Sequence, residues 1–247
     1  NHFDTDWSST KHIFNTLEAI MRLKPEHPAL SEARTIHTKY VFDAADYEFD
    51  IIKKVNNVKL LDKKDKVITK GIWKNLPMYT LTLEERATCS SDCEHWDDCY
   101  GNNVGMAHRF KANQALMDKM EIQLESISKK NPKGFVIRLH ILGDFYSMEY
   151  VWWWSDMLER YPHMRIYGYT RWHPHTPIGM QVDVLRKIHP NRFKIRFSNL
   201  PSDNLSANSE EITSEGITCP VQVNKTKSCG TCGLCWTTKK PIRFLTH

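Results

Sequence analysis

The stretch FVIRLHILGDFYSMEYVWWWSDMLERYPHMRIYGYT, Phe135 to Thr170, decides the fold. Its first part, FVIRLHIL (Phe135–Leu142), is almost continuously apolar and is interrupted by Arg138 and His140. Such a run suits a strand buried in a parallel sheet. Ser147–Tyr161 reads as a helix, with Ser147 as N-cap and Glu149 in the first turn, where the helix dipole favours a carboxylate. MRIYGYT is a second strand. Strand, helix and strand in succession describe one βαβ unit.

The same alternation extends in both directions. Upstream, MYTLTL (Met78–Leu83) reads as a strand and Val104–Lys130 as one long helix stopped by NPKG. Downstream, Gly179–His189 reads as a helix ended by HPN, and Arg192–Ser198 as a strand. Alternating strands and helices predict an α/β fold with a parallel sheet and right-handed crossovers, either an open sheet or a partial barrel. In both, ligands gather at the carboxyl ends of the strands. After the successive strands come Cys89, Cys93 and Cys99; then Gly143 and Asp144; then Thr170, Arg171 and His173; then Ser198, Asn199 and Asp203. Loops collect polar residues by default, so this clustering is suggestive and no more.

The remainder reads less clearly. Thr10–Lys24 has an apolar face of Ile13, Leu17, Ile20 and Met21 and ends at Pro25 and Pro28, which predicts a helix. Asn56–Gly71 resembles a turn with a short hairpin. The expected organisation is therefore an N-terminal extension (1–75), a β/α core carrying the first cysteine loop (76–204) and a C-terminal cysteine segment (205–247). Arg138 and His140 are two residues apart, so on a regular strand they share a face and hint at a polar barrel interior.

The chain has 247 residues and a formal charge of +5, which permits a nucleic-acid partner without requiring one. No apolar run approaches the ~18 residues that span a bilayer, so no membrane partner is expected. The N-terminal NHFDTDWSS does not read as a signal peptide. The expectation is a soluble cytoplasmic protein.

All seven cysteines fall in two stretches: CSSDCEHWDDCYG (Cys89–Gly101) and CPVQVNKTKSCGTCGLCW (Cys219–Trp236). An odd count leaves a thiol over from any disulfide framework, and clustered cysteines in an intracellular chain point to metal. CGTCGLC is C-x2-C-x2-C, with Cys219 ten residues before Cys229. That run suits a [4Fe–4S] cluster held by Cys219, Cys229, Cys232 and Cys235, with structural zinc as the plainer reading. The first stretch is C-x3-C-x5-C. A zinc site completed by His95, Asp92, Asp97 or Asp98 is one reading. A [4Fe–4S] cluster on three thiolates with one open iron is the sharper one. Cys219 could also serve the first site, because ligands cross between clusters in two-cluster ferredoxins.

A three-cysteine loop after the first strand of a β/α barrel resembles the radical S-adenosylmethionine enzymes. That resemblance implies a partial parallel β/α barrel and S-adenosylmethionine on the open iron. It also implies that LGDF (Leu142–Phe145) stands for the motif gripping the methionine amino group, through Gly143 and Asp144. Ser198 and Asn199 would contact ribose or carboxylate, and Asp144 and Arg171 would be the catalytic pair. The C-terminal four cysteines match an auxiliary cluster. An electron donor such as a flavodoxin or ferredoxin is implied as partner. More closely, CSSDCEHWDDCYGNN, IRLHILGDFYS, YGYTRWHP and CGTCGLCW resemble the gene product 88 family of phage and prophage iron–sulfur proteins, over about Leu76 to Trp236. The cysteine spacing departs from the usual C-x3-C-x2-C of the radical enzymes.

Other motifs carry less. Trp152, Trp153 and Trp154 point about 100° apart on a helix and cannot form one stacking platform. RWHPHTP (Arg171–Pro177) could bind phosphate or a base, or be an ordinary aromatic loop. No Walker-type, dinucleotide-type or nucleophile-elbow stretch is present. The leading expectation is an iron–sulfur radical enzyme acting on an unread substrate, for which a nucleotide or nucleic-acid base is a guess. The alternative is a non-enzymatic module with structural metals that binds nucleic acid or protein.

Overall fold

The computed structural model describes residues 35–91 and 93–245; the helix expected at Thr10–Lys24 lies outside them. Ten strands occur in the described chain: β1 (Val41–Phe42), β2 (Lys53–Lys54), β3 (Met78–Thr80), β4 (Arg109–Phe110), β5 (Phe135–Leu139), β6 (Met164–Thr170), β7 (Phe193–Phe197), β8 (Ala207–Ser209), β9 (Ile217–Thr218) and β10 (Ile242–Phe244). The helices are α1 (Gln114–Lys130), α2 (Met148–Arg160), α3 (Pro177–Ile188) and the single turns α4 (Cys229–Cys232) and α5 (Leu234–Thr237).

The main sheet runs β2-β3-β5-β6-β7. All of its pairs are parallel except the antiparallel edge pair β2–β3. The fold is mixed α/β with sequential parallel neighbours, and the strands form an open sheet. Side-chain alternation gives this sheet two different faces. Phe135, Ile137, Leu139, Ile166, Ile195 and Phe197 pack into one core with Leu124, Trp154, Leu158 and Val182 from α1, α2 and α3. Met78, Val136 and Tyr167 face the other way, into a second core with Leu60, Ile68, Trp73 and Trp236. Trp73 and Trp236 stack there, centroids 5.2 Å apart. Residues 55–76 and the C-terminal cysteine segment thus cover the face opposite the helices.

Helix starts follow capping chemistry. Asn113, Ser147 and Thr176 each accept a hydrogen bond from a backbone N–H three residues on, at 3.0, 3.1 and 3.2 Å. The cap at Asn113 corrects the expected helix over Val104–Lys130, which begins at Gln114. The preceding residues are held elsewhere: β4 pairs with β1, and Phe110 exchanges backbone hydrogen bonds with Thr82 and Glu84. The expected hairpin at Asn56–Gly71 is instead a series of turns without strands. Ile68 closes them through backbone bonds to Leu76 and Asn75.

The shared face expected for Arg138 and His140 is also corrected. β5 ends at Leu139, so alternation stops before His140. His140 turns into the helix-side core, where its Nε2 meets the Tyr150 hydroxyl at 3.0 Å and its Nδ1 is buried without a partner. Burial lowers its pKa to about 3, because a second ring proton would have no acceptor. The unfolded chain therefore binds one more proton than the folded one between pH ~3 and ~6.5, and this group's contribution is lost as pH falls through that window. His140→Gln is expected to flatten the acid-side loss of stability by up to about 1.4 kcal/mol per pH unit below pH ~6.5. Urea titrations at stepped pH on both proteins read this; parallel slopes would refute it.

A buried ion pair fixes the first cysteine loop. Arg109 Nε donates to Glu85 Oε2 at 2.7 Å, and both side chains are essentially inaccessible. The same guanidinium donates to the carbonyls of Gly101, Val104 and Ala107 at 2.9, 3.1 and 2.7 Å. Gly101 is required because a Cβ would sit 2.5 Å from Glu85 Oε1. Arg109→Met strands a buried carboxylate and is expected to cost about 3–5 kcal/mol. Adding Glu85→Gln should recover much of that loss in urea denaturation; additive losses would show that the pair is not coupled.

Candidate metal centres

The first cysteine loop follows the carboxyl end of β3 and rests against the loop after β5. Thr88 Oγ1 accepts from the Asp144 N–H at 3.2 Å, and Gly143 packs so closely that a Cβ would lie 2.5 Å from that oxygen. Gly143 has φ +81°, a backbone region that glycine enters without steric cost. Cys89, Cys93 and Cys99 form one electrostatic neighbourhood with Asp144. Burial raises the Cys89 thiol well above its usual value, and Asp144, Cys93 and Cys99 raise it further. Cys93 is pushed to about 11 by burial, which Arg171 partly offsets. Cys99 is raised by burial too, with Gly101 N–H, Arg86 and Arg109 acting in the other direction. Arg86 braces the same loop through the carbonyls of Trp96 and Asp97 and through Asn102.

The other strand ends converge there. Asp144 is buried, and its Oδ1 and Oδ2 accept from the N–H of Phe145 and of Arg171, each at 2.7 Å. Burial still lifts its carboxyl to about 7. The Arg171 guanidinium grips Glu94, between Cys93 and His95, with two bonds of 2.7 and 2.6 Å. Asn199 reaches the same carboxylate at 3.5 Å and accepts from Ser209 N at 2.8 Å. The Ser198 backbone donates to the Thr170 carbonyl, so Ser198 lies at this edge. Of the alternative fourth ligands, His95 pairs with Asp98 at 3.3 Å, and Asp97 and Asp98 are exposed.

The second set lies over the sheet face opposite the helices. Cys219, Cys229, Cys232 and Cys235 line one small cavity of about 10 Å³ together with Pro220, Val221, Leu234 and Ile242. This placement joins Cys219 to its C-terminal neighbours and not to the first loop. α4 begins with a reciprocal capping box between Ser228 and Thr231, and Gly233 at φ +72° turns the chain into α5. Burial raises Cys229 to about 12 and also raises Cys232 and Cys235.

Three residues of the underlying sheet complete this centre, and motif reading missed two of them. Tyr169 Oη lies 3.0 Å from Cys235 Sγ. Arg196 donates to the carbonyls of Cys235, Leu234, Thr238, Lys240 and Ser206, clamping the segment to β7. The charge of Arg138 lies beside Cys229 and Cys235, and its Nε is buried without a hydrogen-bond partner. The available signal was alternation: IRL, YGY and IRF put these polar residues on one face of neighbouring strands.

This donor set fits an anionic cluster. Neutral thiols do nothing for a partly buried guanidinium, whereas thiolates around a metal supply the missing negative charge. Among the described residues, no three His, Cys, Asp or Glu side chains are arranged to hold one ion. A single zinc needs sulfurs within about 4 Å of one another, given Zn–S of ~2.3 Å in a tetrahedron. No helix among the described residues is long and apolar enough to cross a membrane.

Comparison with curated proteins and with solved structures gives no match. The family model described as gene product 88 matches residues 50–207. That span contains the first cysteine loop and Gly143, Asp144, Arg171, Ser198 and Asn199, and it stops short of Cys219. Because it covers well over half of the sequence, the chain belongs to the gene product 88 family, a phage gene-product family.

Proposed function

We propose that this is an iron–sulfur redox enzyme of radical S-adenosylmethionine type, built on an open β/α sheet. Cys89, Cys93 and Cys99 would hold a [4Fe–4S] cluster with one iron open. Cys219, Cys229, Cys232 and Cys235 would hold an auxiliary [4Fe–4S] cluster. The supporting observation is the contrast between the two sets. Four thiols share one cavity and need nothing else. The other three share a neighbourhood with Asp144, at the strand ends where ligands of such sheets sit. When bound, the open-iron cluster supplies one-electron reduction of a sulfonium cofactor.

The chain's own residues then have separable tasks. Gly143 brings its backbone close to the cysteine loop, and Asp144 presents a carboxylate whose remaining lone pairs suit an ammonium group. Arg171 and Asn199 hold Glu94, which keeps the segment around Cys93 in place. Arg86 and Arg109 hold the segment that carries Cys99. The substrate would enter at the same edge, and a nucleotide or nucleic-acid base remains the class suggested by the sequence.

Anaerobically isolated protein is expected to be brown and to contain iron and acid-labile sulfide at both sites. After dithionite reduction it should cleave S-adenosylmethionine to methionine and 5′-deoxyadenosine. Cys93→Ala should abolish cleavage and leave the auxiliary cluster in place, whereas Cys232→Ala should remove only the auxiliary cluster's iron. A colourless protein with stoichiometric zinc would overturn the proposal, as would cleavage that survives Cys93→Ala.

A further inference from the structure

The formal charge of +5 conceals a strong polarity. Residues 54–74 hold seven lysines and two aspartates, a net +5, and residues 219–243 hold four lysines, Arg243 and no carboxylate, also a net +5. Those two segments therefore carry +10 and the rest of the chain −5. They are also the segments that cover the second cysteine set. Cys229 and Gly230 take backbone hydrogen bonds to Lys59 and Leu60, Thr69 bonds to Gly230, and Lys70 lies near Cys232.

The charge converges on a concavity. Lys59, Lys225 and Lys227, with Asn224 and Thr226, line an open groove of about 420 Å³. Val221 lines both this groove and the four-thiol cavity, so one residue separates them. The three lysines are exposed, and the one apolar side chain lining the groove is the aliphatic Val221. The tryptophans of the region, Trp73 and Trp236, are buried.

We infer that this lysine-rimmed groove docks an acidic one-electron carrier protein beside the second cysteine set; the inference rests on the iron–sulfur reading above. Opposed charge steers such encounters, and weak electron-transfer complexes use small interfaces of this kind. A single-stranded nucleic acid would want exposed aromatic rings to stack on, and none of the residues lining this groove is aromatic. In the productive complex the carrier gives up one electron and the centre held by the four thiols takes it up. No bond forms or breaks and no proton moves.

The test uses a fluorescently labelled acidic [2Fe–2S] ferredoxin titrated with the full chain, with iron and sulfide assayed on the same batch. Binding should weaken steeply with added salt. Lys59→Glu/Lys225→Glu/Lys227→Glu should weaken it about tenfold or more and slow reduction by the ferredoxin while leaving reduction by dithionite unchanged. Lys133→Glu, in the turn between α1 and β5, should alter none of these. An iron-loaded protein that binds ferredoxin without salt dependence, or equally well as the triple variant, overturns the inference and spares the iron–sulfur reading. A salt-sensitive single-stranded oligonucleotide complex lost in the triple variant, with ferredoxin unbound, overturns it in favour of nucleic acid. Ferredoxin binding by an iron-free, zinc-free preparation overturns the metal reading and the carrier role with it.

Discussion

A guanidinium set against a sheet with no carboxylate to answer it demands a negative partner. Arg138 is in that position: its Nε is buried and unpartnered, Tyr169 lies under its charge at 5.8 Å, and the groups able to become anionic around it are Tyr167, Tyr169, Cys229 and Cys235. As free thiols those cysteines are the wrong answer, because burial drives their pKa upward and keeps them neutral. The proposed metal ligation would reverse that, since it would deprotonate the thiols and place the resulting charge where Arg138 and Arg196 already stand. The polar layer on β5, β6 and β7 therefore makes sense as the floor of an anionic centre. As the floor of an empty one it would be a cost.

The two faces of the sheet divide the labour. The helix side is largely apolar, with His140 and Tyr150 paired inside it, and frames the strands. The opposite side carries Tyr167, Tyr169, Arg138 and Arg196 and is closed by two segments distant in sequence, residues 55–76 and the C-terminal cysteines. Those segments lean on each other through the stacked Trp73 and Trp236 and through the backbone bonds from Cys229, Gly230 and Thr69. The second set of thiols is thus part of the fold's own packing. The first set stands at the edge, where the ends of four strands meet and where Arg86 and Arg109 rather than a hydrophobic lid hold the loop.

Much of this was legible in the residues. β6 and α2 were readable almost to the residue, because an apolar run of period two and a Ser147 cap are local signals. What escaped the reading was set by partners distant in sequence. Val104–Phe110 has helical composition, yet its backbone is claimed by β1 and by Thr82 and Glu84, so the helix waits for Asn113. His140 obeys alternation only while the strand lasts, and the strand ends one residue earlier. The expectation of a metal rests on cysteine spacing alone. Tyr169, Arg196 and Glu94 carry no motif, and their roles follow from strand register and loop docking.

The difference between the two cysteine sets follows from where each finds its counter-charge. The second set meets its guanidiniums in the sheet and its lysines in the covering segments, so positive charge surrounds it from below and from the rim. The first set has positive charge on its loop side, from Arg86, Arg109 and Arg171, and a carboxylate, Asp144, on the other. Glu94 already occupies Arg171, and Glu85 already occupies Arg109. A centre placed at the first set is therefore less fully neutralised by the protein and keeps an acidic side chain beside it. On the proposed reading, that asymmetry would let the first site accept a cationic cofactor, whereas the second would hold its own charge and exchange electrons with an acidic visitor.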